Sequence, residues 1–407
     1  MIQTRAERLP YRYVILGILG IANLLSFLLI TSLGILLPSI SDDLGLSPTQ
    51  QGWLGSSAVI GNLIFSVPMS VFLSRFNAKI LSTVTLTAGA CFVFMQGWAP
   101  IFIVLLLGRV LFGLSVLARE PARALLFAQW IPSREMVVAN AVYSATYGFA
   151  IAVGFILTPF FLVWFNDSWR LTLTIYAIVT IMIAAVWQFA GRERATPEYR
   201  QWAGSQTRAP LKSVLKYRNV WLAGIGLFGI GINWTAMITF WPTLMLEEYD
   251  IPLTISGSIQ AMSGVVGAVG GIVVALYIIK RDVRRPIVSI AGGLTVLSSI
   301  GMVSTGSVPL LVLLLVINGL GALFYPIIMT LPFELPGVKP REIAVAMAVI
   351  MTLTWAGGVV GPVLAGALQD ATDDLVKSLI ITSLFGLTMV AAGLFLSSQR
   401  REQVATT

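Results

Sequence analysis

The 407-residue chain is 57% hydrophobic and only 11% charged, with no histidine and a single cysteine. An average soluble domain is about 25% charged, so this composition cannot clothe a water-facing surface and excludes an ordinary soluble enzyme or binding module. The net charge of +8 is not gathered into a basic patch, which excludes nucleic-acid binding; the missing histidine removes the commonest metal ligand, and Cys91 alone can form neither an intrachain disulfide nor a thiolate metal site.

Taken from the amino terminus, a basic segment with Arg5, Arg8 and Arg12 leads into an apolar run at 13–37. That run is about 25 residues long without a small-residue cleavage site, so it reads as an uncleaved first span rather than a secretory signal. Further apolar runs follow at 52–73, 80–98, 101–129, 136–164, 170–190, 220–246, 255–279, 286–305, 308–330, 343–369 and 375–397, each about the length a bilayer requires, so twelve transmembrane helices are expected. Between the sixth and seventh runs, Gly191 to Arg218 is polar, holds Pro197, Gly204 and Pro210, and carries seven basic residues. It reads as a cytoplasmic linker (191–218) between an amino-terminal half at 1–190 and a carboxy-terminal half at 219–407. In the seventh span, Trp241-Pro242 marks either a break near the outer end or a plain proline kink.

The basic residues set the orientation. Of 26 lysines and arginines, 21 fall in one alternating set of connecting segments, whereas the opposite set holds only Arg170 and Lys377. By the positive-inside rule both termini are expected in the cytoplasm. The opposite set carries acids instead, among them Asp42, Asp43, Glu247, Glu248, Asp370, Asp373 and Asp374.

The fourth span carries the remaining basic residues, Arg109, Arg119 and Arg123, together with Glu120. A charge at the centre of a span costs about 2.5–3.5 kcal/mol even on lenient scales, so such residues usually face a polar cavity and find partners. At about 100° per residue, Arg109 and Glu120 lie within about 20° of each other, Arg123 about 40° to the other side and Arg119 about 80° away. Arg109, Gly113, Glu120 and Arg123 are therefore expected on one stripe with Arg119 on its shoulder. Arg109 and Arg123 are about 21 Å apart along the axis, too far for one small solute to touch both. Arg123 either snorkels into a cytoplasmic vestibule or pairs with Glu120 at i, i+3. Apart from Glu334 near the end of the tenth span no other acid lies within the spans. Three arginines against one carboxylate leave excess positive charge, a counter-ion for an anionic solute.

The two halves repeat. Gly154 to Pro159 in the fifth span answers Gly357 to Pro362 in the eleventh, Asp167 then answers Asp370, and Pro132-Ser-Arg134-Glu135 answers Lys339-Pro340-Arg341-Glu342. Weak internal symmetry of this kind is common in secondary transporters. Aligning Pro121 with Pro326 sets Phe324 and Tyr325 opposite Arg119 and Glu120. The charges belong to one half only, which points to the solute, with a one-off structural ion pair as the alternative.

With these features the whole chain resembles the major facilitator superfamily. Arg109-x-x-x-Gly113 and the exit Trp130-Ile-Pro132-Ser-Arg134-Glu135 match its fourth span. Its loop between spans 2 and 3, Gly-x-x-x-Asp-Arg-x-Gly-Arg-Arg/Lys, here reads Ser70 to Lys79 and keeps only Arg75 and Lys79, with Ser74 in place of the aspartate. The companion loop keeps Arg281, Arg284 and Arg285, so these five basic residues are the expected gating-loop set. In the fifth span Thr158-Pro159 replaces the Gly-Pro of drug/proton antiporters, which argues against that class. The run at 139–144, Ala-Asn-Ala-Val-Tyr-Ser, is similar to the cyanate-transporter-like and organic-anion-symporter branches.

The resemblance implies an all-α integral membrane protein of twelve helices in two pseudo-symmetric six-helix halves. It also implies a multi-pass monomer in the cytoplasmic (inner) cell membrane, with no cofactor, metal or enzymatic activity. Its partners would be lipid, a small organic anion and protons. The expected solute site takes Arg109, Arg119 and Glu120 with Asn23, Tyr143, Tyr147, Asn233, Trp234 and Tyr325, and Glu120 is the candidate for proton coupling. Ser26, Ser144, Thr235, Trp241 and Asn318 are further polar residues of these spans, each a helix-to-helix hydrogen bond or a solute contact. The rival within transport is a drug or metabolite exporter with Glu120 facing cations; a transport-dead receptor or scaffold is the rival of another class.

Overall fold

In a computed structural model the described residues are 8–73, 76–131, 135–193, 214–273, 284–335 and 340–396. The chain runs through α1 (Arg8–Thr31), α2 (Leu33–Leu44), α3 (Pro48–Leu73), α4 (Ala78–Gly97), α5 (Phe102–Trp130), α6 (Met136–Trp164) and α7 (Trp169–Ala190). It continues through α8 (Arg218–Glu247), α9 (Leu253–Val273), α10 (Arg284–Val303), α11 (Val308–Gly321), α12 (Phe324–Thr330), a 3-10 turn at Leu331–Glu334, α13 (Pro340–Thr372), α14 (Leu375–Leu384) and α15 (Leu387–Phe395). Helix occupies every one of the twelve expected apolar runs. Among the described residues nine helices are long and apolar enough to cross a membrane, and Leu253–Val266 and Val308–Gly321 are shorter apolar ones.

Three runs are interrupted, each for a local reason. In the tenth, Pro326 has no N–H to offer the Ala322 carbonyl; Tyr325 N takes that carbonyl at 3.0 Å, and Ala322 and Leu323 likewise donate three residues back, tightening the chain between α11 and α12. The same three-residue pattern at Gly386, Thr388 and Met389 separates α14 from α15. In the first run α1 ends at Thr31, where Thr31 and Ser32 hydroxyls bond back to carbonyls of their own helix, and α2 then continues past the expected end to Leu44. Pro242 does the opposite of a break: α8 runs through it unbroken to Glu247, with Trp241 fully buried and its Nε1 donating to the Met302 carbonyl at 3.1 Å.

The chain divides into two compact units, Met1–Leu44 with Ser57–Thr207 and Gly45–Ser56 with Arg208–Thr407. Within the first, α1 packs on α6 and α7, and α4 on α5 and α7, around Leu19, Leu126, Phe127 and Trp187. Within the second, α8 packs on α13 and α15, and α10 on α11, α14 and α15, around Leu227, Phe324, Ile350 and Met389. Each unit thus pairs its first span with its fifth, its third with its fourth and its third with its sixth, which is the internal repeat in three dimensions. The segment Gly45–Ser56 belongs to the second unit through the Thr49 amide on Asp370 Oδ2 at 2.9 Å and Ser56 Oγ on the Val359 carbonyl at 2.6 Å.

Lipid tails are as apolar as leucine, so close backbone approach rather than hydrophobic burial holds such helices together. Gly154 sits against Leu28 and Thr31 of α1, and its counterpart Gly357 sits against Phe228 of α8. The outer faces carry exposed apolar side chains that water would not tolerate, Phe189 at 87% and Trp164 at 71% among them.

Candidate functional site

The charged residues of α5 point to two different neighbours. Arg119 is 5% exposed, and its Nη2 donates to Ser26 Oγ and, at 3.4 Å, to the Ala22 carbonyl, both on α1. Arg109, 2% exposed, reaches the Ile30 carbonyl of the same helix at 3.4 Å. Among the described residues no carboxylate forms an ion pair with Arg119; its direct hydrogen bonds go to a hydroxyl and a carbonyl, with the Glu120 carboxylate in Coulombic range.

Glu120, the next residue, turns by one helical step and faces α6. Its Oε2 accepts from Arg123 Nε at 2.8 Å and its Oε1 from the Tyr143 hydroxyl at 3.0 Å, while the Arg123 guanidinium lies 4.5 Å from the Tyr143 ring centre and 5.2 Å from that of Phe127. Arg123 is therefore a partner of Glu120 rather than a snorkelling vestibule charge. The carboxylate side chain keeps 40% of its exposure, so its neutralised pair still opens onto accessible space.

The single stripe expected for Arg109, Gly113, Glu120 and Arg123 does not survive as one surface. Arginine is long enough to reach sideways to α1 from either end of α5, and Gly113 is spent on a crossing, where an added side chain would strike the Ala58 backbone of α3. Around the cluster, Asn23 Nδ2 donates to Thr146 Oγ1 at 2.7 Å, Thr146 donates to the Tyr143 carbonyl at 2.6 Å, and Phe27 meets Tyr147 edge to face at 4.5 Å. The structure therefore gathers Asn23, Arg119, Glu120, Tyr143 and Tyr147 where α1, α5 and α6 meet, and leaves Arg109 at the far end of the same α1–α5 seam.

In the second unit the predicted residues separate. Asn233 is 2% exposed, with Nδ2 on Ser299 Oγ at 3.1 Å and Oδ1 accepting from Ser383 at 3.2 Å. Thr235 bonds back to the Gly231 carbonyl at 2.7 Å. Trp234 and Tyr325 are 38% and 45% exposed. A cavity of about 90 Å³ is lined by Asn233, Trp234, Gln260, Ser299 and Asn318 among others, and Tyr325 is not part of its wall. Gln260 of α9 also lines this cavity; the signal available in the sequence was an amide in the eighth span, beside Ser256, Ser258 and Ser263.

Of the expected gating-loop residues, Arg75 and Arg281 lie outside the described residues, and Arg284 and Arg285 open α10. Lys79 sits in the first turn of α4, behind an N-cap in which Asn77 Oδ1 accepts from Ile80 N at 3.0 Å, and its carbonyl accepts from Trp187 Nε1 at 3.3 Å.

Comparisons with known proteins agree with this architecture. Residues 19–362 match the family model described as Major Facilitator Superfamily. The chain is 24% identical over 380 residues to the hexuronate transporter of Bacillus subtilis (strain 168), covering 87% of each chain. It is also 24% identical over 371 residues to the probable galactarate/D-glucarate transporter GarP of Escherichia coli (strain K12), covering 80% of this chain and 83% of that one. In fold it is similar to a bacterial homolog of the human lysosomal transporter Spinster, with a TM-score of 0.79 at 15% identity over 95% of this chain and 97% of that one. The family match spans most of the chain and the helix pairings recur in both units: the chain is a membrane transporter belonging to the major facilitator superfamily.

Proposed function

We propose that the chain carries a small hydroxylated organic acid, of the kind named for its galactarate, glucarate and hexuronate relatives, across the cytoplasmic membrane. The observation that carries the reading is Arg119: a buried guanidinium whose hydrogen-bond partners are neutral and whose nearby carboxylate, Glu120, is paired directly with Arg123 keeps attraction for a solute carboxylate. Glu120 supports acids over lipophilic cations, because Arg123 and Tyr143 already occupy its oxygens. Movement would follow alternating access, the halves 1–190 and 219–407 rocking about the solute with the 191–218 linker and both termini in the cytoplasm, each monomer acting alone. The solute contacts proposed in the first half are Arg109, Arg119, Glu120, Asn23, Tyr143 and Tyr147, with Asn233, Trp234 and Tyr325 in the second.

Thermal unfolding of the purified protein tests the solute class. A ligand at about 100 times its Kd stabilises by about 2.7 kcal/mol, enough to raise the melting temperature. Galactarate, glucarate and galacturonate are expected to do so, and tetraphenylphosphonium is not; the reverse result would make the chain an exporter of cations.

Proton coupling is assigned to Glu120, the one carboxylate of the cluster. In Glu120→Gln the side chain can still accept from Tyr143, but it has lost its titrating proton. The expected outcome is that proteoliposomes no longer accumulate the acid after an inward pH step while solute exchange at equal pH persists. Accumulation at the unmodified level would remove Glu120 from the coupling step.

A further inference from the structure

Where α1 begins and α7 ends, the first unit holds a cluster that the proposed solute contacts do not use. Tyr11 stands at its centre: its hydroxyl donates to the Ala190 carbonyl at 2.5 Å, its ring lies 5.5 Å from that of Trp130, and the Arg192 guanidinium sits 4.4 Å over its face. Trp130 Nε1 donates to the Arg192 carbonyl at 2.9 Å, so the backbone and the head of Arg192 are both held. Near the same end of α7, the Lys79 carbonyl accepts from Trp187 Nε1 at 3.3 Å, and Thr83, one turn further along α4, bonds to Gln188 Oε1 at 3.1 Å. Arg12, close by in sequence to Tyr11, is neutralised by Glu135 at 2.9 Å, whereas among the described residues neither Arg192 nor Lys79 forms an ion pair. Glu193, the acid next to Arg192, has one carboxylate oxygen enclosed.

We propose that this end of α7 binds an anionic phospholipid, its phosphate on Arg192, with Lys79 adding a second positive charge and the acyl chains lying along α7. The apolar half of the site is the exposed face of that helix. Phe189 is 87% exposed and Val186 and Met182 about half exposed, at spacings of three and four that set them on one side. In a bilayer such a face meets acyl chains, and Arg192, three residues past Phe189, then stands at the level of the headgroups. The polar half follows from how Arg192 is held. The Tyr11 ring takes the flat face of the guanidinium and leaves the N–H groups at its edge, which match two phosphate oxygens. Charge then selects among lipids. A zwitterionic headgroup brings a quaternary ammonium that two unpaired cations repel; an anionic headgroup brings none. A soluble phosphate ester has the charge but gains nothing from the apolar face.

The test titrates the full-length protein in detergent with dioleoyl phosphatidylglycerol, dioleoyl phosphatidylcholine and glycerol 3-phosphate, and reads the Kd of the first bound molecule by native mass spectrometry. A basic residue beside an anionic headgroup favours it roughly fivefold. The unmodified protein should therefore prefer phosphatidylglycerol over phosphatidylcholine by roughly 25-fold and Arg192→Gln by only about fivefold, with glycerol 3-phosphate bound far more weakly by both. Arg192→Gln keeps the carbonyl that Trp130 uses and alters an exposed side chain, so it is expected to fold; Lys79→Gln carries the same prediction if it does not. Arg218→Gln, at an exposed position opening α8 in the second unit, is the control for diffuse attraction and should keep the full preference. An unchanged preference in the Arg192 or Lys79 variant would overturn the proposal. Equal loss in Arg192→Gln and Arg218→Gln would overturn it in favour of a general positive potential, and glycerol 3-phosphate bound as tightly as phosphatidylglycerol would overturn it in favour of a soluble phosphate.

Discussion

Arg119→Met is expected to abolish acid uptake without lowering the melting temperature. The two effects separate because the guanidinium contributes to binding and to folding in opposite senses. In the fold it is a buried charge, 5% exposed, whose partners are a serine hydroxyl and a carbonyl. Desolvating such an ion costs several kcal/mol, and neutral dipoles return only part of it. Methionine of similar length removes that cost and strands nothing, since Ser26 Oγ already donates to the Ala22 carbonyl at 2.8 Å. For the solute the change runs the other way. Losing one partner of a desolvated charge pair costs about 2–5 kcal/mol, roughly 30-fold to several thousand-fold in affinity. Uptake into proteoliposomes and thermal unfolding of the same preparation check both halves of the prediction. Transport at the unmodified rate would reduce Arg119 to a structural residue, and joint loss of transport and stability would make it a tie between α1 and α5.

Why Arg119 rather than its neighbours carries this prediction was only partly legible in the sequence. Four charges inside one apolar run announce a polar function for α5, and their spacing fixes their angles about its axis. Which neighbour each angle meets depends on the crossings of α1 and α6 over α5, and a helical projection of α5 alone contains neither. Adjacent residues, Arg119 and Glu120, consequently face different helices, and Gly113, on the same stripe as Glu120, packs against α3. Gln260 was hidden for a related reason: an amide in a membrane span looks the same whether a neighbouring helix satisfies it or, as here, its oxygen is enclosed without a partner.

The helices themselves were far more legible, since the twelve apolar runs and the repeated glycine-proline segments needed only length and period. Proline was the ambiguous element. Pro242 and Pro326 both lack an N–H, yet only the region before Pro326 breaks. There Gly321 lies tight against Thr295, and the preceding residues fall into three-residue hydrogen bonds, whereas Trp241 anchors α8 to α10 beside Pro242. Local sequence supplies the weakness, and tertiary contacts decide whether the helix yields.

Gly357→Val is expected to be the most damaging single change to the fold. The α8–α13 crossing is backbone against backbone. A Cβ at Gly357 would strike the Phe228 carbonyl, one at Gly231 the Thr354 carbonyl and one at Gly361 the Ile232 carbonyl. A side chain in the way can change rotamer, but a carbonyl inside a helix cannot move without carrying its helix with it. Overpacking costs about 1–3 kcal/mol where side chains can adjust, and this site should reach or exceed the top of that range. Parting the two helices would also forfeit the close contacts on which association in lipid depends. Gly293→Ala is the matched control in the same unit, because its Cβ would lie 4.0 Å from the nearest atom, the Val390 Cγ2 methyl. There alanine should stabilise α10 by about 0.5–1 kcal/mol through its better helix propensity. Size-exclusion profile and thermal unfolding should show Gly357→Val aggregated or strongly destabilised and Gly293→Ala unchanged or improved. Equal tolerance at both positions would mean that α8 and α13 do not meet at their backbones, and the positioning of Asn233 on α8 would then need another explanation.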